Sequence, residues 1–286
     1  MQIIDRTVST GELSLAVKTW GDSASPAILA LHGWQDNAAT FDKLIPHFPD
    51  YYWIVPDLPG HGLSEHRGKA ADYSIWSYCA DVMALADAMA LDDFYLIGHS
   101  MGGGIANLLA ALFPERIRKL ILLDVIGTIT TPADEALEQM RTALKQRFKK
   151  TLRKPGFYTS REDAIAARAR KGIDHEGASL LGARGIGESA SGYYWQHDQR
   201  LTRKSLLSMS DDQVRPFLEA TSCPVLLVTS QEAILRKDAI DKRIAMVGNI
   251  QVEALSGGHH QHLDGDIDLL ALRIKQFLDA DSLVDQ

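Results

Sequence analysis

Short apolar runs recur along the chain, each closed by glycine, proline or aspartate. Ala27–Leu31 lies between Pro26 and Gly33, Tyr51–Val55 ends at Pro56-Asp57, Phe94–Ile97 at Gly98, and Leu120–Leu123 at Asp124. Leu13–Trp20 alternates loosely before Gly21-Asp22, and Val225–Val228 and Ile250–Val252 come much later. Runs that are apolar on both faces predict strands of a parallel sheet covered on both sides. Helical spacing fills the gaps. Ile75–Met89 places Val82, Leu85, Ala86 and Met89 on one face. Gly102–Phe113 is small and apolar all round and stops before Pro114, while Leu269–Leu278 repeats Leu269, Leu272, Ile274 and Phe277. Strands alternating with helices of this length predict an α/β doubly wound sheet.

One region breaks the rhythm. From 128 to 216 the sequence shows no buried strand. It opens with a helical stretch to Lys150 that gathers Lys145, Arg147, Lys149 and Lys150, followed by Arg153 and Lys154. Such a run reads first as a solvated helix face. Glycine-rich Gly182–Gly187 and an aromatic knot, Tyr193-Tyr194-Trp195, follow. The expected organisation is a core of 1–127 and 217–286 with a mostly helical insertion, 128–216, over the strand ends. The match Gly185-x-Gly187-x-x-Ala190 follows no strand, so it is not read as a dinucleotide site.

Composition narrows the function. At 286 residues, 45% hydrophobic and 23% charged, the chain can bury a large core. A net charge of −7 removes the basic excess expected of a nucleic-acid binder. Cys79 and Cys223 form neither a disulfide framework nor a four-thiolate zinc site. The opening Met1-Gln2-Ile3-Ile4-Asp5-Arg6 has no basic segment leading into an apolar run, and no stretch reaches the roughly 20 apolar residues of a membrane span. A cytoplasmic protein with no cofactor, no nucleic-acid partner and no membrane span is expected.

The chemistry concentrates at strand ends. Gly98-His99-Ser100-Met101-Gly102 follows a strand and opens a helix, the context of a nucleophile elbow. Small residues on either side let strand and helix approach, and the helix N-terminus offers free N–H groups beside the serine. The bland alternative is a glycine turn whose serine caps a helix. Leu31-His32-Gly33-Trp34-Gln35 ends an earlier strand. Acyl transfer needs donors aimed at a developing oxyanion, and the N–H groups of Trp34 and Met101 are the candidates. A serine also needs a base. Ser256-Gly257-Gly258-His259-His260-Gln261-His262-Leu263 supplies His259 directly after two glycines, with His260 and His262 read as packing or supporting residues. No second ligand cluster accompanies these histidines, so no metal is expected. For the acid, Asp124 at a strand end is favoured, Glu232 in Thr229-Ser230-Gln231-Glu232-Ala233 is the runner-up, and Asp238 stands behind them. Asp57–Ser64 reads as a structural turn.

Together these segments resemble the α/β-hydrolase fold superfamily from about residue 3 to 280. Within it the chain is similar to the serine hydrolase-like proteins. The likeness rests on His32–Ala38, Phe41–Pro46, Gly60–Ser64, the elbow, Leu120–Asp124, Asp198–Leu201 and Gly258-His259. The resemblance implies a mostly parallel eight-stranded sheet flanked by helices. It also implies a helical cap after the sixth strand, a Ser–His–acid triad, and acyl hydrolysis without a cofactor. The chain departs from the common pattern after the seventh strand, where the acid normally stands.

The resulting expectation is a carboxylesterase-like serine hydrolase acting on a small-molecule ester or acyl substrate. His32, His99, Tyr193, Tyr194 and Trp195 are the expected pocket residues; the aromatics would otherwise pack the insertion's own core. Dehalogenases and epoxide hydrolases carry a carboxylate at the elbow, where this chain has Ser100. A carbon–carbon bond hydrolase or cofactor-free lyase could use the same triad, and a catalytically silent binding protein is the rival of another class.

Overall fold

The computed structural model describes residues 3–148, 156–231 and 235–280. Its main sheet runs β1 (Ile4–Ser9), β2 (Ser14–Trp20), β3 (Ala27–Leu31), β4 (Tyr52–Pro56), β5 (Phe94–His99), β6 (Ile117–Leu123), then β9 (Val225–Thr229) and β10 (Ile250–Ala254). The spatial order is β1-β2-β4-β3-β5-β6-β9-β10. β2 pairs antiparallel with both β1 and β4, and every later pairing is parallel. The chain leaves β3 towards β4 on one side and returns to β5 on the other. A crevice at the carboxyl ends of the strands follows from that reversal.

The apolar runs are buried on both faces, as a covered parallel sheet requires. In β3, Leu29 and Leu31 pack with α1 (Ile75–Ala88) and α2 (Met101–Leu112), while Ile28 and Ala30 face Phe41, Phe48 and α9 (Ile267–Asp279). β1 escaped the hydrophobic pattern because it is a polar edge strand, largely exposed. Among the described residues no helix is long and apolar enough to cross a membrane.

Between β6 and β9 lie α3 (Ala136–Phe148), α4 (Arg161–Ala169), α5 (His175–Gly185), β7 (Ile186–Ser189), β8 (Gly192–Trp195) and α6 (Asp211–Glu219). The mostly helical expectation thus meets an antiparallel hairpin, and the aromatic knot is its second strand. The boundary expected at 216 falls inside α6. Of the basic run, Lys145 and Arg147 end α3, whereas Lys149, Lys150, Arg153 and Lys154 lie outside the described residues.

Buried arginines fasten this insertion to the sheet. Arg184 of α5 reaches Asp57 at the end of β4, with Nε 2.8 Å from Oδ2, and also pairs with Asp5. Asp57 is fully buried and accepts from Ala38 N–H (2.7 Å) and Leu63 N–H (2.8 Å). Asn37 donates to Leu181 O at 2.9 Å, and Asp198 N–H donates to Gly60 O at 2.8 Å.

Removing one partner of a buried pair strands the other. Arg184→Met should therefore destabilise the fold by about 3–5 kcal/mol. Asp57→Asn in the same chain should recover part of that loss. Urea unfolding of the single and double variants checks this; equal midpoints for Arg184→Met and the parent would refute it.

Candidate active site

The elbow is built by close approach. Ser100 joins β5 to α2 with φ +51°, a left-handed conformation that a non-glycine residue adopts only under constraint. Glycines make the turn possible. A Cβ on Gly98 would stand 2.5 Å from Gly102 O, and one on Gly102 would stand 2.1 Å from Leu31 O. Met101 opens α2, so its N–H has no carbonyl within the helix to bond. Trp34 lies in the loop after β3, where Asp36 N–H closes a turn on Gly33 O at 3.2 Å. No described hydrogen bond consumes the Trp34 N–H.

His259 follows Gly257 and Gly258 in the loop after β10. Its Nδ1 lies 2.5 Å from Asp124 Oδ2. Asp124 closes β6 with φ +57°, and its other oxygen accepts from Ser230 N–H at 2.8 Å. The carboxylate is buried and held from two sides, which fixes the ring that donates to it. The His259 carbonyl is held as well, accepting from His99 Nε2 at 3.0 Å. The structure records no hydrogen bond from Ser100 Oγ to the His259 ring. Such bonds commonly close only when substrate arrives.

Ser100, Asp124, Met101 and Trp34 all line one cavity of about 850 Å³. Tyr73, Ile75, Tyr78 and Val125 add an apolar wall, and α3 contributes Glu138, Gln139 and Thr142. This is the size and character of a small-molecule site.

Behind the His259 loop sits a buried carboxylate. Asp36 Oδ1 accepts from Arg168 of α4 at 2.6 Å. Its Oδ2 faces His260 Nε2 at 3.3 Å and His99 Nδ1 at 3.7 Å. Burial alone would raise the Asp36 carboxyl; His260, Arg168 and His99 outweigh it and hold it well below the usual range. Burial pushes His99 far down, and its neighbours His262, His260 and His259 push further. The ligand atoms of Asp36, His99 and His260 lie within 4.8 Å of one another, a grouping the sequence did not reveal. The Arg168 guanidinium already supplies the positive charge beside that carboxylate.

The alpha/beta hydrolase fold family matches residues 26–266. The chain belongs to the α/β-hydrolase fold family. Among its relatives, a serine hydrolase-like protein of Danio rerio is 31% identical over 270 residues, covering 90% of this chain and 82% of that one. A probable serine hydrolase of Drosophila melanogaster is 30% identical, covering 88% and 83%. The crystal structure of a hypothetical protein from Pseudomonas aeruginosa PAO1 superposes with a TM-score of 0.92 at 33% identity, covering 98% of this chain and 99% of that one.

Within this α/β hydrolase the structure gathers Ser100, His259, Asp124, Trp34 and Met101 at the strand ends. Glu232 lies outside the described residues. Asp238 is in the first turn of α7 (Lys237–Ile244), paired with Arg236 at 3.0 Å.

Other expected pocket residues are placed elsewhere. His32 is fully buried; its Nε2 accepts from Leu58 N–H at 2.9 Å, so its Nδ1 carries the proton given to Gly33 O at 2.8 Å. It shapes the loops rather than the cavity wall. His99 is also buried and is committed to His259 O. Tyr193 and Trp195 pack against Ala164, Ile165 and Leu181, and Tyr194 meets Phe157 at 5.8 Å between rings. A short hairpin needs an apolar partner, and the Tyr193 and Trp195 rings pack on the insertion's own small core. The cavity instead uses Tyr73, just before α1, and Tyr78, in its first turn, neither of which the sequence set apart.

The buried histidines generate a pH dependence. His262 is lowered to about 3, first by burial and then by His260, from an ordinary value near 6.5. Unfolded, it takes up a proton as pH falls below 6.5; folded, it does not until about 3. Its contribution to stability is whole above the unfolded value and is lost as pH falls towards the folded one. His61 and His99, lowered by burial, act with the same sign. Urea midpoints should drop from pH 7 to pH 5, and His262→Gln should flatten that slope by up to about 1.4 kcal/mol per pH unit. A midpoint constant over this range would mean that these rings are charged in the fold.

Proposed function

We propose that this α/β hydrolase cleaves carboxylic esters through a Ser–His–Asp triad and an acyl-enzyme. The observation that carries the reading is the His259–Asp124 hydrogen bond of 2.5 Å at a cavity that Ser100 also lines. Ser100 Oγ attacks the ester carbonyl while His259 Nε2 takes its proton. The carbonyl oxygen becomes an oxyanion, held by the N–H groups of Met101 and Trp34. Collapse expels the alcohol, which receives the proton from His259. Water then repeats the sequence, with His259 as base, and releases the acid. Asp124 keeps Nδ1 protonated and stabilises the imidazolium. A carbon–carbon bond hydrolase could use the same groups, but no observation favours it. Cys79 and Cys223 are buried and free, which supports a reducing, cytoplasmic setting.

A fluorophosphonate probe should label the protein, and Ser100→Ala should abolish labelling. The same variant should lower turnover of p-nitrophenyl acetate by at least about 10³-fold with the fold intact. Undiminished turnover would end the triad reading.

The acid is tested separately. Asp124→Asn forces the wrong tautomer on His259 and should cut kcat by up to roughly 10⁴, while Glu232→Gln should be mild. The opposite ranking would give the acid's role to Glu232.

A further inference from the structure

The cavity at Ser100 has a smaller neighbour, an annex, across shared walls. A second cavity of about 230 Å³ shares Trp34, Tyr73, Lys204 and Ser205 with it. Besides Lys204, its walls carry Arg147, Arg200 and Arg203, against the single carboxylate of Asp72. That local excess of positive charge stands in a chain whose net charge is −7.

Part of the charge is already committed. Arg147 pairs with Asp72. Arg200 is held by Asp198, with Nη2 at 2.6 Å from Oδ2, and by the carbonyls of Arg67, Gly68 and Ala71. Among the described residues the side chains of Arg203 and Lys204 have no partner. They are adjacent in sequence, after the 3-10 turn Gln199–Thr202, and both face the annex. Trp34, Tyr73 and Trp76 line the annex beside them, with Arg203 half-buried and Lys204 exposed.

We propose that Arg203 and Lys204 bind the anionic end of an amphipathic ester whose apolar part fills the large cavity. The substrate class is then esters that carry a carboxylate or phosphate away from the scissile bond. The inference rests on the esterase reading and specifies its substrate. The annex volume equals roughly eight water molecules at about 30 Å³ each. That is room for an oxyanion with part of its hydration, not for a second long chain. A guanidinium beside an ammonium suits such a group, because hydrogen bonds between ionised partners are the strong ones. Trp34 links the annex to the chemistry. It lines both cavities, and its N–H is a proposed oxyanion donor. An ester anchored in the annex passes the oxyanion loop on its way to Ser100.

Two chromogenic esters test this. Mono-p-nitrophenyl suberate and p-nitrophenyl octanoate share acyl length and leaving group and differ in the terminal carboxylate. The suberate ester should have a kcat/KM about tenfold higher, carried by KM, as one added charge-assisted contact supplies. Octyl phosphate should inhibit better than octanol by a similar factor. Arg203→Ala combined with Lys204→Ala should bring both ratios to about one, and added salt should shrink them in the parent protein. Equal kcat/KM for the two esters, or ratios that survive the double variant, would overturn the proposal. Calorimetric titration of Ser100→Ala with monomethyl suberate and methyl octanoate reads binding without turnover. Tighter suberate binding with no ester cleaved by the parent would sink the esterase reading and uphold the anion site. Equal binding with both esters cleaved would do the reverse.

Discussion

Helix α2 lies so close to β3 and β5 that its first turn has no room for side chains against them. The contact of Gly102 with the Leu31 carbonyl sets the rest of the site. Because α2 starts there, Ser100 must take a left-handed turn to enter it from β5. Because Leu31 ends β3, the same contact brings the loop of His32, Gly33 and Trp34 alongside the helix N-terminus. One steric constraint therefore brings Ser100, Trp34 and Met101 to the wall of one cavity. The strain at Ser100 is maintained by the buried strands and helix on both sides, and by its own backbone, whose N–H donates to Leu123 O at 3.2 Å and whose carbonyl accepts from Gly103 N–H at 3.0 Å.

A second layer of organisation is electrostatic. Asp36 and Asp57 are buried carboxylates at the ends of loops from the sheet, and each takes an arginine from the insertion: Arg168 and Arg184. Buried pairs add little stability over apolar packing, but a displaced one leaves an expensive uncompensated charge. They therefore select one seating of α4 and α5 over the sheet. Asp36 also faces His260 and His99, and His99 holds the His259 carbonyl. The seating of the insertion and the position of the His259 loop thus meet at one carboxylate.

The sheet was legible in the sequence because its strands are apolar on both faces and end in glycine, proline or aspartate. Polar β1 gave no such signal. The elbow was legible because its glycines and serine are consecutive. His259 and Asp124 each stand just past a strand, so they could be named as candidates, but only the order of strands shows that they meet. Arg168 and Asp36 are 132 residues apart, and nothing in either neighbourhood announces the pair. The aromatic knot misled for a related reason. Tyr193, Tyr194 and Trp195 look like a pocket wall in sequence, yet the hairpin turns Tyr193 and Trp195 onto the insertion's own core and Tyr194 onto Phe157. Tyr73, just before α1, and Tyr78, in its first turn, take that place.

The insertion is fastened unevenly. α4 and α5 carry Arg168 and Arg184, paired with buried carboxylates, and their own apolar cluster, whereas α3 buries only Ala143 and leaves Leu137 and Phe148 largely exposed. Yet α3 contributes Glu138, Gln139 and Thr142 to the cavity. Substitutions along that helix change the shape and polarity of the chamber without touching the residues on which folding depends. Divergent descendants of such a gene could therefore shift their diet through α3, with Ser100, His259, Asp124 and the arginine anchors passed on unaltered.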